Sequence, residues 1–543
     1  MKRFSGIAAS RGIVRGSAVF YKPCDITVTP ERAENPEAER VRFAQAQRKA
    51  VEDIDHLCES AVELVGAEAA QIFEVHKMMV EADEFVELVT ARLDEGYCAP
   101  YAVQQAGQEL AAMFSSMDDD YMKERAADVS DISSRLIRIM LGVEEGSCDL
   151  SAPCILVADD LLPSDTISLD STNVLAFVTR LGSHTSHLAI LARTRGIPAV
   201  VGLGAAYEEL SAGVELIVDG TRGTVIVEPG EAENEEFDRL YQEHMAFKKR
   251  LQQFKGLKSV TQDGTEVEVC ANIGSTADIR NVLENDADGI GLVRSEFLYM
   301  ESEQLPDEDV LFEAYRTIVS KMGGKRVIIR TLDVGADKAL PYLALGHEDN
   351  PAIGFRAVRV CLKRPDIFYP QLRAILRASV YGKTAIMFPM ISGLEEFRQS
   401  KQMTLDCMEQ LRQEGIPFDE KIPIGLMIEI PAAAVLSGEL AAEADFFSIG
   451  TNDLTQFMLA ADRMNPNVDH LFNGANEAVL RMIEFTAKSA AEHGILCGIC
   501  GELGADTTLT ERFLKMGVRE FSVAPHKVLE VREKVRSICL PQA

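Results

Sequence analysis

From Thr265 onward the chain repeats one pattern eight times: a short apolar run, a polar or glycine-containing loop, and a stretch of helical periodicity. The runs are VEVCANI, GIGLVRSE, RVIIRTLD, AIMFPMI, IGLMIEI, FFSIGTND, ILCGICGE and EFSVAP. Strands that are apolar on both faces have to be covered on both faces, which is the condition of a parallel sheet wrapped by helices. Eight such units within residues 261–543 fit a (β/α)8 barrel.

Barrels of this kind keep their chemistry at the C-terminal ends of the strands. Asn272, Arg294, Glu296, Arg330, Asp333, Glu429, Asn452, Asp453, Cys500 and Glu502 all fall there. On this reading Arg294, Arg330 and Arg463 converge with Glu429 and Asp453. Guanidinium forks match phosphate and carboxylate oxygens, and two carboxylates beside a phosphate suit a hard octahedral cation such as Mg2+. The implied ligand therefore carries both a phosphate and a carboxylate. Cys500 points into the mouth as a candidate proton donor. Histidine chemistry is absent from the mouth, since His470 and His493 lie outside the strand ends, so a phosphoryl acceptor has to come from elsewhere.

The candidate acceptor is His187, in GSHTSHLAILARTRGIP from Gly182 to Pro198. A hydroxyl-rich loop there turns into an apolar helical segment, and a helix start offers unpaired N–H groups and a positive dipole end to an anion. The helix carries Arg193 and Arg195 in its last turn and stops at Gly196-Ile197-Pro198. Taken alone, the stretch reads equally as a buried histidine capping a helix. Set beside a barrel with arginines and metal carboxylates but no acceptor, His187 reads as the nucleophile, because a neutral imidazole is competent near pH 7.

The rest of the chain supports these two centres. Residues 1–29 and 146–230 alternate short strands with turns and form a small α/β domain, interrupted over 30–145 by long helical periodicity. Residues 231–260 are charged and helix-prone and read as a linker helix, its acidic start a solvated first turn. The fold class is thus multidomain α/β. A formal charge of −30 opposes nucleic-acid and anionic-membrane binding. Eleven cysteines without paired spacing and no apolar run near membrane length point to a cytoplasmic protein with free thiols and no membrane insertion. Cys497 and Cys500 match CxxC, but residues three apart on a strand face opposite ways. Gly382-Lys383-Thr384 ends like a P-loop, but Arg377 stands where that loop needs glycine. His76, beside Phe73 and Met79, reads as helix packing.

The chain closely resembles enzyme I of the bacterial sugar phosphotransferase system, the phosphoenolpyruvate-protein phosphotransferases. The resemblance spans essentially the whole length and is carried by GIAASRGIV, QIFEVHKMM, YMKERAADVSDI, GSHTSHLAILAR, GLVRSEFLYM, RTLDVGADK, NPAIGFRAVR, MIEIPAA, SIGTNDLTQF, AADR and CGICGEL. It implies that His187 takes phosphate from phosphoenolpyruvate with Mg2+ and gives it to a histidine of the small carrier HPr. It further implies that Glu429 and Asp453 hold Mg2+ and that Arg294 and Arg330 grip the phosphate. Arg463 and Asn452 would orient the carboxylate, with Arg356 an additional contact, and Cys500 would protonate the enolpyruvate. The helical insertion would dock HPr, and the barrel would form a homodimer. His184, Ala336 and Met464 depart from the residues expected at their positions. A dikinase or phosphoenolpyruvate synthase would need a large nucleotide-grasping domain ahead of the histidine, whereas the segment ahead of it here is mostly amphipathic helix. A docking scaffold without turnover would not need the barrel set.

Overall fold

The computed structural model describes residues 2–540 apart from 22–27, 66, 116–119, 144–149, 170, 184–185, 301, 303, 336–339, 344, 347, 349 and 463–467. At several helical positions, His187 among them, the backbone alone is described. His184, Ala336, Arg463 and Met464 lie outside the described residues. The chain divides into two compact units, Met1–Ala246 and Phe247–Ala543.

The first unit is built on eight strands: β1 (Lys2–Ser5), β2 (Ile7–Ser10), β3 (Ile13–Phe20), β4 (Cys154–Ala158), β5 (Val174–Thr179), β6 (Ala199–Val201), β7 (Glu215–Asp219) and β8 (Thr224–Val227). They form one sheet in the order β1-β8-β7-β3-β4-β5-β6-β2. Its centre, β3 to β6, is parallel, and antiparallel pairs flank it. The central strands are apolar on both faces, as burial on both sides demands. Leu156 and Ala158 join a core shared with helices, and Ile155 and Val157 join a second core on the opposite face.

Between β3 and β4 run five helices, α1 (Pro36–Val65), α2 (Ala67–Glu81), α3 (Asp83–Asp94), α4 (Ala99–Ser115) and α5 (Asp120–Leu141). Three more follow, α6 (Pro163–Ser168), α7 (His187–Arg195) and α8 (Glu231–Gln252). Ala99, Ala102, Val103 and Ala106 of α4 and Val129, Ile132 and Leu136 of α5 are buried at spacings of three and four, the stripe of a helix packed on one side. Small side chains let α4 and α5 approach closely, and a Cβ on Gly107 would collide with the Ser133 side chain. His76 of α2 packs edge-on to Phe73 as read from the sequence, at 5.7 Å between ring centroids. It is more than packing, because its Nε2 lies 3.2 Å from Asp128 Oδ1 and its Nδ1 3.9 Å from Asp131 Oδ2 of α5. The start of α8 is anchored by Phe237, buried against Ile217 and Ile226 and capped by Arg15 at 4.9 Å.

The second unit is a closed barrel of eight parallel strands, one from each of the apolar runs read from the sequence. They are β9 (Glu268–Ile273), β10 (Ile290–Arg294), β11 (Val327–Arg330), β12 (Thr384–Phe388), β13 (Ile424–Ile428), β14 (Phe446–Gly450), β15 (Leu496–Cys500) and β16 (Glu520–Val523). Alternation sorts their side chains into two cores. Phe447, Ile449, Cys497, Ile499 and Phe521 pack with the surrounding helices, while Ile328, Met387, Met427, Phe446 and Cys500 fill the interior. The two cysteines of CGIC therefore face opposite ways. No helix among the described residues is long and apolar enough to cross a membrane.

Replacing Gly107 with valine should destabilise the first unit by about 1–3 kcal/mol through overpacking between α4 and α5. Urea unfolding of the full chain, followed by separate probes in the two units, should show the first transition moving and the barrel transition staying in place.

Candidate active site

The barrel mouth is assembled from strand ends. Arg294 and Arg330 terminate the neighbouring strands β10 and β11 and are register partners. Glu429 follows β13 directly, and Asn452 and Asp453 lie in the first turn of the helix Thr451–Leu459 that follows β14. Cys500 ends β15. Arg356 comes from a loop after β11, yet reaches the same place through Asp333.

Asp333 is the hub of this constellation. Arg330 Nη1 lies 3.0 Å from its Oδ2, and Arg356 donates from Nη2 to Oδ1 at 2.8 Å and to Oδ2 at 3.0 Å. Glu296 holds Arg330 from the other side, accepting from Nη2 at 3.0 Å and from the Asp333 backbone N–H at 2.9 Å. Arg356 Nη2 also stands 3.8 Å from Asp453 Oδ2. Glu296 and Asp333 were visible in the sequence only as polar strand-end residues. The structure makes them the supports that fix two guanidiniums in a buried place, where forked charge-assisted bonds leave little rotational freedom.

The electrostatics follow from burial. Burial pulls the Arg330 and Arg356 guanidiniums toward neutrality, but carboxylates around them outweigh it and hold both above the ordinary arginine value: Glu296 and Asp333 first at Arg330, Asp333 and Asp453 first at Arg356. Glu429 is driven well above the usual carboxylate range by burial, then by Asp453 and Asp333, against the pull of Arg330. Its Oε1 accepts the Met390 N–H at 2.6 Å. Burial pushes the Cys500 thiol up to about 11, Glu429 adds to this, and Ser448, Arg330 and Arg294 oppose it. At neutral pH Cys500 is therefore an S–H acid rather than a thiolate nucleophile.

With Glu429 ionised, the three described guanidiniums of Arg294, Arg330 and Arg356 would face four carboxylates, a formal excess of one negative charge that a proton on Glu429 offsets. A divalent cation fits this chemistry: Glu429 and Asp453 are hard oxygen donors that repel each other, and a cation between them would lower that repulsion. Arg330 Nε and the Thr331 hydroxyl, both buried and without a described partner, are further polar groups available to a ligand. Another acidic group, Glu268, Cys270 and Glu520, has its ligand atoms within 4.8 Å of one another, but it lies at the N-terminal end of the barrel and both glutamates already pair with Arg326.

Local backbone serves the same site. Met390 and Ala357 both adopt φ of +55°, a conformation that strains a non-glycine residue by about 1–3 kcal/mol. Met390 in that conformation donates its N–H to Glu429, and Ala357 follows Arg356 directly. Gly450 is needed for space, because a Cβ there would stand 2.9 Å from Glu429 Oε2.

In the first unit, His187 opens α7, whose N-cap residue Ser186 makes no side-chain cap. The Ser186 hydroxyl instead donates to Ser183 O at 3.0 Å. The first-turn N–H groups are thus left without a cap from Ser186, and Gly196 closes the helix in the left-handed conformation, φ 65°. His526 lies in the turn Pro525–Lys527 after β16 and is exposed, and His347 lies outside the described residues.

Three family profiles cover the chain: the PEP-utilising enzyme N-terminal domain over residues 5–125, the mobile domain over 150–223 and the PEP-binding domain over 248–540. The phosphoenolpyruvate-protein phosphotransferase of Priestia megaterium is 42% identical over 99% of this chain and 94% of its own length. That of Bacillus subtilis (strain 168) is 41% identical over 100% of this chain and 96% of its own. The chain belongs to the phosphoenolpyruvate-protein phosphotransferases. As a member of that family it is an enzyme of phosphoenolpyruvate-dependent phosphoryl transfer, and the barrel is its phosphoenolpyruvate-binding domain. Residue 187 and all of α7 lie within the span matched by the mobile domain.

Gly450→Ala should lower turnover of this phosphotransferase at least tenfold by displacing Glu429, with the thermal midpoint of the barrel little changed; a rate near that of the parent would show that the Glu429 position is unimportant. Iodoacetamide at pH 7.5 should label the exposed Cys539 and spare Cys500, as peptide mass spectrometry would read.

Proposed function

We propose that this enzyme transfers the phosphoryl group of phosphoenolpyruvate first to His187 and then to a histidine of the carrier HPr, releasing pyruvate, as the first step of the sugar phosphotransferase system in the cytoplasm. The observation that carries the barrel half of this reading is the Asp333-centred array, in which buried arginines stand beside the Glu429 and Asp453 carboxylates and a protonated Cys500.

In this reading Arg294 and Arg330 bind the phosphate, and Asn452, Arg356 and Arg463 orient the carboxylate. Glu429 and Asp453 hold Mg2+, which when bound neutralises phosphate charge and helps fix an in-line geometry. The arginines pre-organised by Glu296 and Asp333 stabilise charge on the transferring group without reorganising. His187 attacks phosphorus as the electrons of the breaking bridging P–O bond pass to the enol oxygen, giving the enolate of pyruvate, and Cys500 Sγ–H delivers the proton to the enolate C3. The N-terminal end of α7 then favours the phosphate carried on the imidazole. Because acceptor and donor sites lie on separately cored units, His187 has to move between the barrel and the carrier, with α8 as the connection.

The carrier reading is supported by a groove of about 940 Å3 on the helical bundle, lined by Met79, Phe85, Leu88, Leu110 and Met113 and rimmed by Glu84, Glu87 and Glu109. An apolar floor with an acidic rim suits a small partner with an apolar patch and a basic border. The barrel unit is the part that would form the homodimer.

Incubation with labelled phosphoenolpyruvate and Mg2+ should place acid-labile label on the parent and none on His187→Ala. Label that persists in the variant, or none on the parent, would refute the His187 assignment. Residues 1–246 alone should accept phosphate from phospho-HPr and fail to use phosphoenolpyruvate; direct use of phosphoenolpyruvate would break the two-site division.

A further inference from the structure

Beneath Cys500 the barrel interior carries polar groups that the chemistry at the mouth does not employ. Two residues below Cys500 on the same inward face of β15 lies Gly498, paired in register with Ser448 of β14 on one side and Glu520 of β16 on the other. Phe447, Ile449, Phe521 and Val523 belong to the helix-facing core, so alternation turns Ser448 and Glu520 inward. Both residues are 1% exposed. Glu520 Oε1 is buried with no hydrogen-bond partner among the described residues, and the buried Ser448 hydroxyl has the Cys500 sulfur as its one neighbour of hydrogen-bonding kind.

Glycines border this layer. A Cβ on Gly498 would stand 3.1 Å from Glu520 Oε1, and one on Gly291 would stand 2.7 Å from it. The missing side chains make room for the Glu520 carboxyl itself, whose Oε1 is left without a partner in the interior that Ser448 also faces. A water between these two inward-facing groups would satisfy the Glu520 oxygen, whereas an apolar group would leave it unpaired. The other oxygen, Oε2, is anchored by Arg326, which also pairs with Glu268. The Glu268 side chain is 47% exposed, so this end of the layer reaches solvent at the barrel floor, away from the substrate.

We infer that Glu520 reloads the Cys500 thiol with a proton between turnovers, through one buried water and the Ser448 hydroxyl. The inference rests on the reading of Cys500 as the acid that protonates the enolate. In the balanced sequence the S–H bond of Cys500 breaks as the C3–H bond of pyruvate forms, leaving a thiolate. The Ser448 hydroxyl gives its proton to sulfur and takes one from the water, the water takes one from the Glu520 carboxyl, and the Glu520 carboxylate recovers a proton from solvent at the barrel floor. Glu520 touches no reacting atom and acts only as the supply.

The charge environment supports such a role. Burial raises the Glu520 carboxyl to about 7, Arg326 opposes this and Glu268 adds to it. The charged or titratable groups that interact with it are Arg326 from the segment before β11, Glu268 and Cys270 from β9, and Cys497 from the neighbouring β15. The protonated fraction is therefore full well below pH 7 and falls as pH rises through it. The Ser448 hydroxyl favours the Cys500 thiolate, as a group that receives the spent sulfur should.

The test is pre-steady-state pyruvate formation by the full chain with Mg2+, phosphoenolpyruvate and excess HPr, for the parent, Glu520→Gln, Ser448→Ala and Cys500→Ala. Glu520→Gln and Ser448→Ala should each show a burst of about one pyruvate per site followed by a rate at least tenfold below the parent. The decline of the parent rate as pH rises through about 7 should be absent from Glu520→Gln. Ser448→Ala leaves the Arg326 pair intact and so guards against a folding defect in Glu520→Gln. Equal slowing of the first and later turnovers, or parental rates and pH dependence in both variants, would overturn the relay. The underlying reading is checked separately, with phosphoenolpyruvate made chiral at C3 by tritium and the reaction run in D2O. A chiral methyl group from Cys500→Ala would remove Cys500 as the acid, and a parent that stops after one pyruvate in the presence of HPr would remove the carrier reading. Loss of chirality in Cys500→Ala with no burst in the other two variants would sink the relay alone.

Discussion

A guanidinium withdrawn from water has to be met by carboxylates, and that requirement at Arg330 organises the barrel mouth. Removing one partner of such a buried pair typically costs about 3–5 kcal/mol, because a charge is left unpaired. Arg330 is met twice, by Glu296 from the end of β10 and by Asp333 from the loop after β11. Asp333 then extends the same condition to Arg356. Once these pairs are made, two anion-binding groups are fixed without help from a ligand. Satisfying them brings an excess of carboxylate charge into the mouth. Glu429, buried and close to Asp453 and Asp333, bears the consequence in its raised affinity for a proton. The same excess that favours a proton on Glu429 favours a divalent cation, and the arginines then face an anionic substrate in a mouth no longer net negative.

Alternation along the strands decides which groups share this environment. Each barrel strand sends every second residue inward, so Cys500 and Met427 enter the interior while Cys497 and Ile499 pack against helices. A shift of one residue would exchange these sets and put hydrocarbon where the charges belong. Glycine has a related role at Gly450 and Gly498, where the missing side chain leaves room for the carboxyl of Glu429 or Glu520 on a neighbouring strand. The interior thus holds polar groups where small residues admit them and is apolar elsewhere.

The barrel was legible because its strands are continuous apolar runs ended by polar residues, a pattern that depends on position in the chain and little on distant contacts. The same pattern placed Arg294, Arg330, Glu429 and Cys500 at one end. The Glu296 side of the clamp was not legible, because a hydrogen bond between residues 34 or more positions apart leaves no periodic mark. The sheet order of the first unit was hidden for a similar reason: β1 and β2 are adjacent in sequence and lie at opposite edges. His76 shows the limit within one helix. Its apolar neighbours announced burial, whereas its partners Asp128 and Asp131 come from another helix.

Separating a histidine acceptor from this mouth has a physical reason. An imidazole surrounded by several buried carboxylates is driven to hold a second proton, and an imidazolium has no lone pair to offer phosphorus. The first residue of a helix presents the opposite environment, in which N–H groups and the dipole disfavour a cation and favour the phosphate that arrives. In the proposed mechanism the acceptor at the start of α7 meets the carboxylate-rich mouth only when donor and cation have already offset its charge. On that view the division of the chain into two separately packed units is a condition of the chemistry, since a fixed histidine in the barrel would spend the resting state protonated.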